Sequence, residues 1–368
     1  ERDDRQDRSE NGLKAVRKKR KHATRGGVRG GTWTFYNRKV AFTVEKMMSF
    51  AAFFRALALV ATLAVSTTPA VHAAASGEGE ILEKDIPISV REVAPGLYFQ
   101  YHHQESNSAF LVTDAGVLVI DTRQHPKRAE ELLATIRKIT DKPIRWVVNT
   151  HAHGDHYFGN SVFKREGAKI IAHVDTAGMM KANFDLEMKR RMGYFKQRGY
   201  DPAEVKLTLP DVTFTRRYPL TLGGREIEIF YIGAGQNPGD TFVYFPKERV
   251  LFAGGPFSKQ SWPNPSFTPS MQGWVEVLRR IAGMDVDQYL GGHGDIGTRQ
   301  DVLDEARMLS DFDAGMRVAV AKGMSPDDIV KAAPFEKYKD VRNYYRMNLF
   351  VASYYHLLTT GKPENPYP

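Results

Sequence analysis

Residues 149–160 read NTHAHGDHYFGN, which places His151, His153, Asp155 and His156 within six positions of one another. The segment before them, IRWVVNT, is a short apolar run rich in β-branched residues, the pattern of a buried strand. This arrangement constrains the fold. Along an extended turn, side chains at i and i+2 point the same way, so His151 and His153 can share one metal ion. Gly154 lets the backbone turn a corner, and Asp155 and His156 then face a second position nearby. So short a stretch cannot close two coordination spheres, and the chain must bring further ligands back from distant sequence. His293, in QYLGGHGD just after another strand-like run, is the best candidate. Neutral imidazole nitrogen and carboxylate oxygen suit zinc, one ion or two, with iron or manganese as the carboxylate share rises.

The surrounding pattern supplies the scaffold. ISVREVAPGLYFQYH and SAFLVTDAGVLVIDT predict a meander of strands broken at Pro-Gly and Asp-Ala-Gly. Pro126 opens a helix in which Ala129, Leu132, Leu133, Ile136 and Ile139 recur at helical spacing. AKIIAH then reads as a strand and residues 175–198 as a charged helix. DVTFTRRYPLTL, REIEIFYIGAG, TFVYFP and RVLFAGG follow as successive strands, GWVEVLRRIAGM as a helix and QYLGGHG as a strand. Helices are expected over 301–322, 326–333 and 341–358. Two blocks of strands, each followed by helices, predict two sheets packed face to face with helices outside. The expected architecture is an α/β (α+β) sandwich of four layers, αββα, with extra C-terminal helices, forming one domain over 85–368.

His-x-His-x-Asp-His after a strand, then GAGQNPGDT, LFAGG and GGHGD, in that order across 90–297, resembles the metallo-β-lactamase superfamily. The resemblance implies the same αββα sandwich, with a metal site at one edge and hydrolysis of an amide, ester, lactone or thioester. A metal-bound water would be acidified to a pKa of about 7. Asp155 matches the family's catalytic aspartate and would orient that water and handle its proton. Two positions depart from the family pattern. Gln236 stands where a histidine ligand is usual, and its amide oxygen is a weaker donor to zinc than imidazole. Gly255 stands where a bridging Asp or a Cys is common. Some members build the second position from Asp, His and His without a bridging residue. The implied ligands are therefore His151, His153 and Gln236 on one side, and Asp155, His156 and His293 on the other.

Other residues admit two readings. His102 and His103, in QYHHQESNS, are either substrate contacts or an exposed polar loop. Trp262 and Phe267, in SKQSWPNPSFTPS, are either an aromatic substrate wall or part of a connection. His173 and His356 read as structural, and Asp240, in NPGDT, as a turn-holding carboxylate.

Composition narrows the function classes. The chain has no cysteine, which removes disulfides, thiolate metal sites and a cysteine nucleophile. Its formal charge of +9 is concentrated in residues 1–46, where 14 Lys and Arg face 6 Asp and Glu; from Ser76 onward 37 face 37. The folded part is neutral, so no nucleic-acid partner is expected for it. The stretch beginning MMSFAAFFRALALVATLAV at Met47 has the layout of a secretory signal peptide over 47–75, cleaved near Ala73 to Ala75. Its apolar run, Ala56 to Val65, is about half the ~20 residues a spanning helix needs, so no stable membrane anchor is expected. Residues 1–46 read as a non-native or disordered basic extension, and 76–84 as a linker.

Together these features predict an exported, periplasmic or secreted, zinc-dependent hydrolase of a small-molecule substrate, β-lactamase-like or lactonase-like. The alternative is a degenerate sandwich that binds a metabolite or partner without turnover. Gly255 argues against a thioesterase resembling glyoxalase II, and a nuclease would rest on the basic extension alone. The sequence sets no oligomeric state.

Overall fold

A computed structural model of the chain describes residues 88–262 and 264–363; the expected extension, signal peptide and linker lie outside them. The first sheet has seven strands in chain order: β1 (Ser89–Ala94), β2 (Leu97–Tyr101), β3 (Ser108–Thr113), β4 (Gly116–Ile120), β5 (Ile144–Val148), β6 (Lys169–His173) and β7 (Val212–Phe214). The first four form an antiparallel meander, and β4 to β7 run parallel. Gly96 turns the first corner at φ +72, where an added Cβ would meet Val112 O at 2.7 Å. Helix α1 (Pro126–Ile139) makes the crossover to β5; His125 caps it, its ring nitrogen accepting from Lys127 N–H.

The second sheet runs β12-β11-β10-β9-β8, from β8 (Arg217–Leu222), β9 (Arg225–Phe230), β10 (Phe242–Phe245), β11 (Val250–Ser258) and β12 (Gln288–His293). Period-two alternation assigns each face. On β4, Leu118 and Ile120 join Phe99, Val148, Ile229, Val243 and Phe252 between the sheets. Val117 and Val119 pack outward with Ala129, Leu132 and Ile136 of α1. The outer face of the second sheet is covered by α5 (Met271–Ala282), α6 (Arg299–Ala321), α7 (Pro326–Ala332) and α8 (Met347–Thr360). Two short helices, α2 (Gly154–Tyr157) and α3 (Asn160–Arg165), and the long α4 (Val174–Arg198) complete the chain. The four layers and C-terminal helices agree with the sequence expectation.

Three expectations are corrected. DVTFTRRYPLTL is two strands in different sheets, because β7 pairs with β6 and β8 with β9. Val212, Phe214, Tyr218, Leu220 and Leu222 are all even-numbered, so the alternation stays in phase across the break and hides it. The last helix starts at Met347, after a 3-10 turn over Tyr344–Arg346. Trp262 is core: it is 2% exposed and packs against Phe312, Tyr338, Tyr344 and Phe350. Aromatic residues contributed by the C-terminal helices enclose it, which the Pro- and Ser-rich sequence around it disguised. Among the described residues no helix is long and apolar enough to cross a membrane.

Candidate metal centre

Three strand ends converge. Asp121 follows β4, His151 and His153 follow the adjacent β5, and His293 ends β12 of the other sheet. Asp155 and His156 lie in α2, directly after the β5 loop.

The proton positions on the imidazoles follow from their outer partners. Asp121 is fully buried; its Oδ1 accepts from Thr150 N–H at 2.8 Å and its Oδ2 from the Thr150 hydroxyl at 2.8 Å. Thr150 has then spent its one proton, so its oxygen accepts from His151 Nδ1–H at 2.8 Å, leaving a lone pair on His151 Nε2. His156 donates Nδ1–H to Asp121 Oδ2 at 2.7 Å and His293 donates Nδ1–H to Glu105 O at 3.2 Å, leaving both Nε2 atoms as acceptors. The Ser266 carbonyl, 3.3 Å from His153 Nε2, can only accept, which leaves His153 Nδ1 unprotonated. The Asn237 amide, 3.3 Å from the same nitrogen, matches it when its oxygen is turned inward.

The unprotonated atoms face one another. His151 Nε2 is 3.1 Å from His153 Nδ1, and His156 Nε2 is 3.3 Å from His293 Nε2. Asp155 Oδ2 lies 3.2 Å from His293 Nε2 and 3.6 Å from His156 Nε2. Gln236 is 3% exposed, and its Oε1 finds no hydrogen-bond partner among the described residues. Its Nε2 donates to Asn264 O at 2.9 Å, so the oxygen is the end turned away from that carbonyl. Lone pairs gathered without a proton between them repel, and a cation is what removes the repulsion. The donor set fits a divalent metal.

Electrostatics agree. Burial pushes His156 down to about 3 and holds His151 and His153 well below the usual imidazole range, so all three are neutral at pH 7. Burial would raise Asp155, but Arg191 and then His156 hold it well below the usual carboxylate range. Burial pushes Asp121 up to about 7 against the pull of His151 and Thr150. Two groups have ligand atoms all within 4.8 Å of one another: Asp155, His156 and His293, and Asp121, His151 and His156. In the second group Asp121 Oδ2 is already engaged by Thr150 and His156 Nδ1–H, so Asp121 acts as an orienting partner.

The supporting residues were not legible in the sequence. On α4, Glu187 accepts from Gly154 N–H at 2.7 Å and Arg191 pairs with Asp155 Oδ1. Glu105 is buried with Arg123 and Arg128 and accepts from Tyr194 at 2.6 Å. Asn107 donates to the carbonyls of Gly291 and Gly294 at 3.0 and 2.7 Å, on either side of His293. Asp121 carried a readable signal, since it ends a strand-like run as the histidine cluster does.

The remaining candidates fall outside the cluster. His103 is exposed and accepts from or donates to Tyr101 OH at 3.1 Å. His102 is buried, its Nδ1 accepting from Gln104 and Glu105 N–H, so this turn is built rather than loose. His173 caps α4 and its Nε2 lies 2.9 Å from Thr215 O, a structural role. Asp240 Oδ2 accepts from Gly235 and Asn237 N–H and holds the turn that carries Gln236.

A four-layer sandwich with such a donor cluster at its strand ends defines a fold able to hold a metal at one sheet edge. A family model for the metallo-beta-lactamase superfamily matches residues 104–293. The chain belongs to that superfamily, and its relatives there support a metal-dependent hydrolase at the general level. It is 26% identical over 250 residues to a metallo-beta-lactamase type 2 of Bacillus cereus, covering 64% of this chain and 88% of the relative. It is 26% identical over 183 residues to 2,4-dinitroanisole O-demethylase subunit alpha of Nocardioides sp. (strain JS1661), covering 49% of this chain and 50% of that one, so it spans only half that relative's length. Among solved structures, the inverting sec-alkylsulfatase Pisa1 from Pseudomonas sp. shares the fold at TM-score 0.60 and 18% identity, covering 76% of this chain and 52% of that one.

Proposed function

We propose that this chain is an exported, zinc-dependent hydrolase acting on a small amide, ester or lactone. The observation that carries this reading is the set of outer hydrogen bonds that assign the imidazole protons away from one another and turn six acceptor atoms, His151 Nε2, His153 Nδ1, Gln236 Oε1, Asp155 Oδ2, His156 Nε2 and His293 Nε2, toward the strand ends. These atoms would hold a divalent ion in two groups of three. A divalent ion held there supplies an acidified water and a Lewis-acid contact for the substrate's oxygen. Asp155 would be the catalytic residue: its Oδ2 faces His293 and its Oδ1 is fixed by Arg191, so the carboxylate is held in place to orient a water and take its proton. Asp121 and Thr150 keep His151 and His156 in the ligating tautomer. Export rests on the signal-like segment at 47–75, and the neutral balance of the folded part gives no support to a polyanionic substrate.

The test is metal analysis of the purified protein, followed by turnover of nitrocefin, an aliphatic lactone, a thioester, an alkyl sulfate and 2,4-dinitroanisole. Zinc, iron or manganese near stoichiometry with hydrolysis of an amide, ester or lactone supports the reading, and absence of any bound metal sinks it. Gln236 and Gly255 motivate the second reading, a binding protein without turnover. Full metal occupancy with no hydrolysis across the panel would favour it.

A further inference from the structure

We propose that Gln236, Gly255 and Asn264 act as one unit that determines which ion the His151–His153 position accepts. This rests on the proposed metal-binding reading. The Asn264 carbonyl takes the Gln236 Nε2–H at 2.9 Å, which leaves Oε1 at the space beside Gly255 that the His151 ring also borders. The buried Oε1 has no hydrogen-bond partner among the described residues, an arrangement that costs free energy unless a cation occupies the position. Gly255 leaves the room. A Cβ added there would collide with Gln236 Oε1 and come within 3.0 Å of His151 Cε1 and Nε2. Gly255 is absent from the positive-φ glycines, so its backbone itself would accept alanine. The glycine is thus required by the amide oxygen first and by the His151 ring second, and not by its own backbone conformation. Two imidazole nitrogens and one amide oxygen make a harder donor set than three imidazoles, so the position favours manganese and iron relative to zinc more than an all-histidine site does.

A double-mutant cycle read by metal affinity tests this in the full-length protein. The measurement is competition between the protein and a chromophoric chelator for zinc and, separately, for manganese. Gln236→Ala is expected to weaken one binding step at least tenfold and leave the other within twofold. Gly255→Ala is expected to do the same by displacing the amide, yet to have a much smaller further effect in the Gln236→Ala background, where only the 3.0 Å approach to His151 remains. Gln236→His is expected to raise the zinc-to-manganese affinity ratio at least tenfold. Wild-type metal binding with Gln236→Ala unchanged overturns the proposal while leaving the hydrolase reading standing. So do equal effects of Gly255→Ala in both backgrounds. Failure of the wild type to bind any metal removes both. Apo-protein melting curves establish that each variant folds: a Gly255→Ala protein that melts as wild type and keeps wild-type affinity also overturns the proposal.

Discussion

Asp121→Asn is the substitution that most directly separates orientation of the histidines from ligation. As a carboxylate, Asp121 accepts three hydrogen bonds, at 2.8, 2.8 and 2.7 Å, and has no donor of its own. An asparagine of the same shape has one oxygen and one NH2. With nitrogen at the Oδ2 position, it faces the Thr150 hydroxyl and His156 Nδ1. His156 must then accept at Nδ1 and carry its proton on Nε2, where the ligating lone pair was. With nitrogen at the Oδ1 position, two donors meet at Thr150 N–H, at a cost of about 1–3 kcal/mol for the unsatisfied group. Either way metal affinity should fall about 10- to 100-fold, about 1.4–2.8 kcal/mol. Folding stability should respond differently. Burial raises the Asp121 carboxyl to about 7, so in the metal-free wild type its stabilising contribution is full below about 4 and is lost as the pH rises through about 7. Asparagine does not titrate, so the variant should lack that loss. The assays are chelator competition for zinc at neutral pH and urea unfolding of the metal-free protein at pH 5 and pH 8. Zinc affinity within twofold of wild type would refute the tautomer chain from Asp121 to the imidazoles.

Three further outcomes follow from the same geometry. Glu105 is held at about 2 because Arg123 and Arg128 outweigh the effect of its burial. This depressed value contributes stability above the unfolded pKa that is lost as the pH falls from about 4.5 toward 2, so Glu105→Gln should cost on the order of 3 kcal/mol at pH 7 and flatten the acid limb of the unfolding curve. Asn107→Ala should destabilise the chain by about 1–3 kcal/mol and weaken metal binding by loosening the backbone around His293, measured by denaturant unfolding and chelator competition. Trp262→Ala should cost about 3–5 kcal/mol in unfolding free energy with metal content per folded molecule unchanged; a changed KM at unchanged stability would restore the substrate-wall reading.

The residues legible in the sequence were those whose types are rare together. His151, His153, Asp155 and His156 announce themselves by crowding, and His293 by its place at a strand end. Gln236 was visible only as a departure from a family pattern. The supporting residues carry no such signal: Glu187 and Arg191 read as one charged face of a helix, and that face is charged because it meets Gly154 and Asp155. Glu105 looked like part of a polar loop, since the arginines that bury it lie in other segments. The split of DVTFTRRYPLTL between sheets escaped because alternation reports which side a residue faces, and says nothing about which neighbour its strand pairs with.

The central claim is that six proton-free donor atoms at the strand ends hold metal. Anomalous diffraction at the zinc edge, from crystals grown with zinc, tests it most directly. Density is expected among Asp155 Oδ2, His156 Nε2 and His293 Nε2, with a second feature among His151 Nε2, His153 Nδ1 and Gln236 Oε1, each about 2.0–2.2 Å from its ligands. A map with no anomalous peak among these atoms would contradict it.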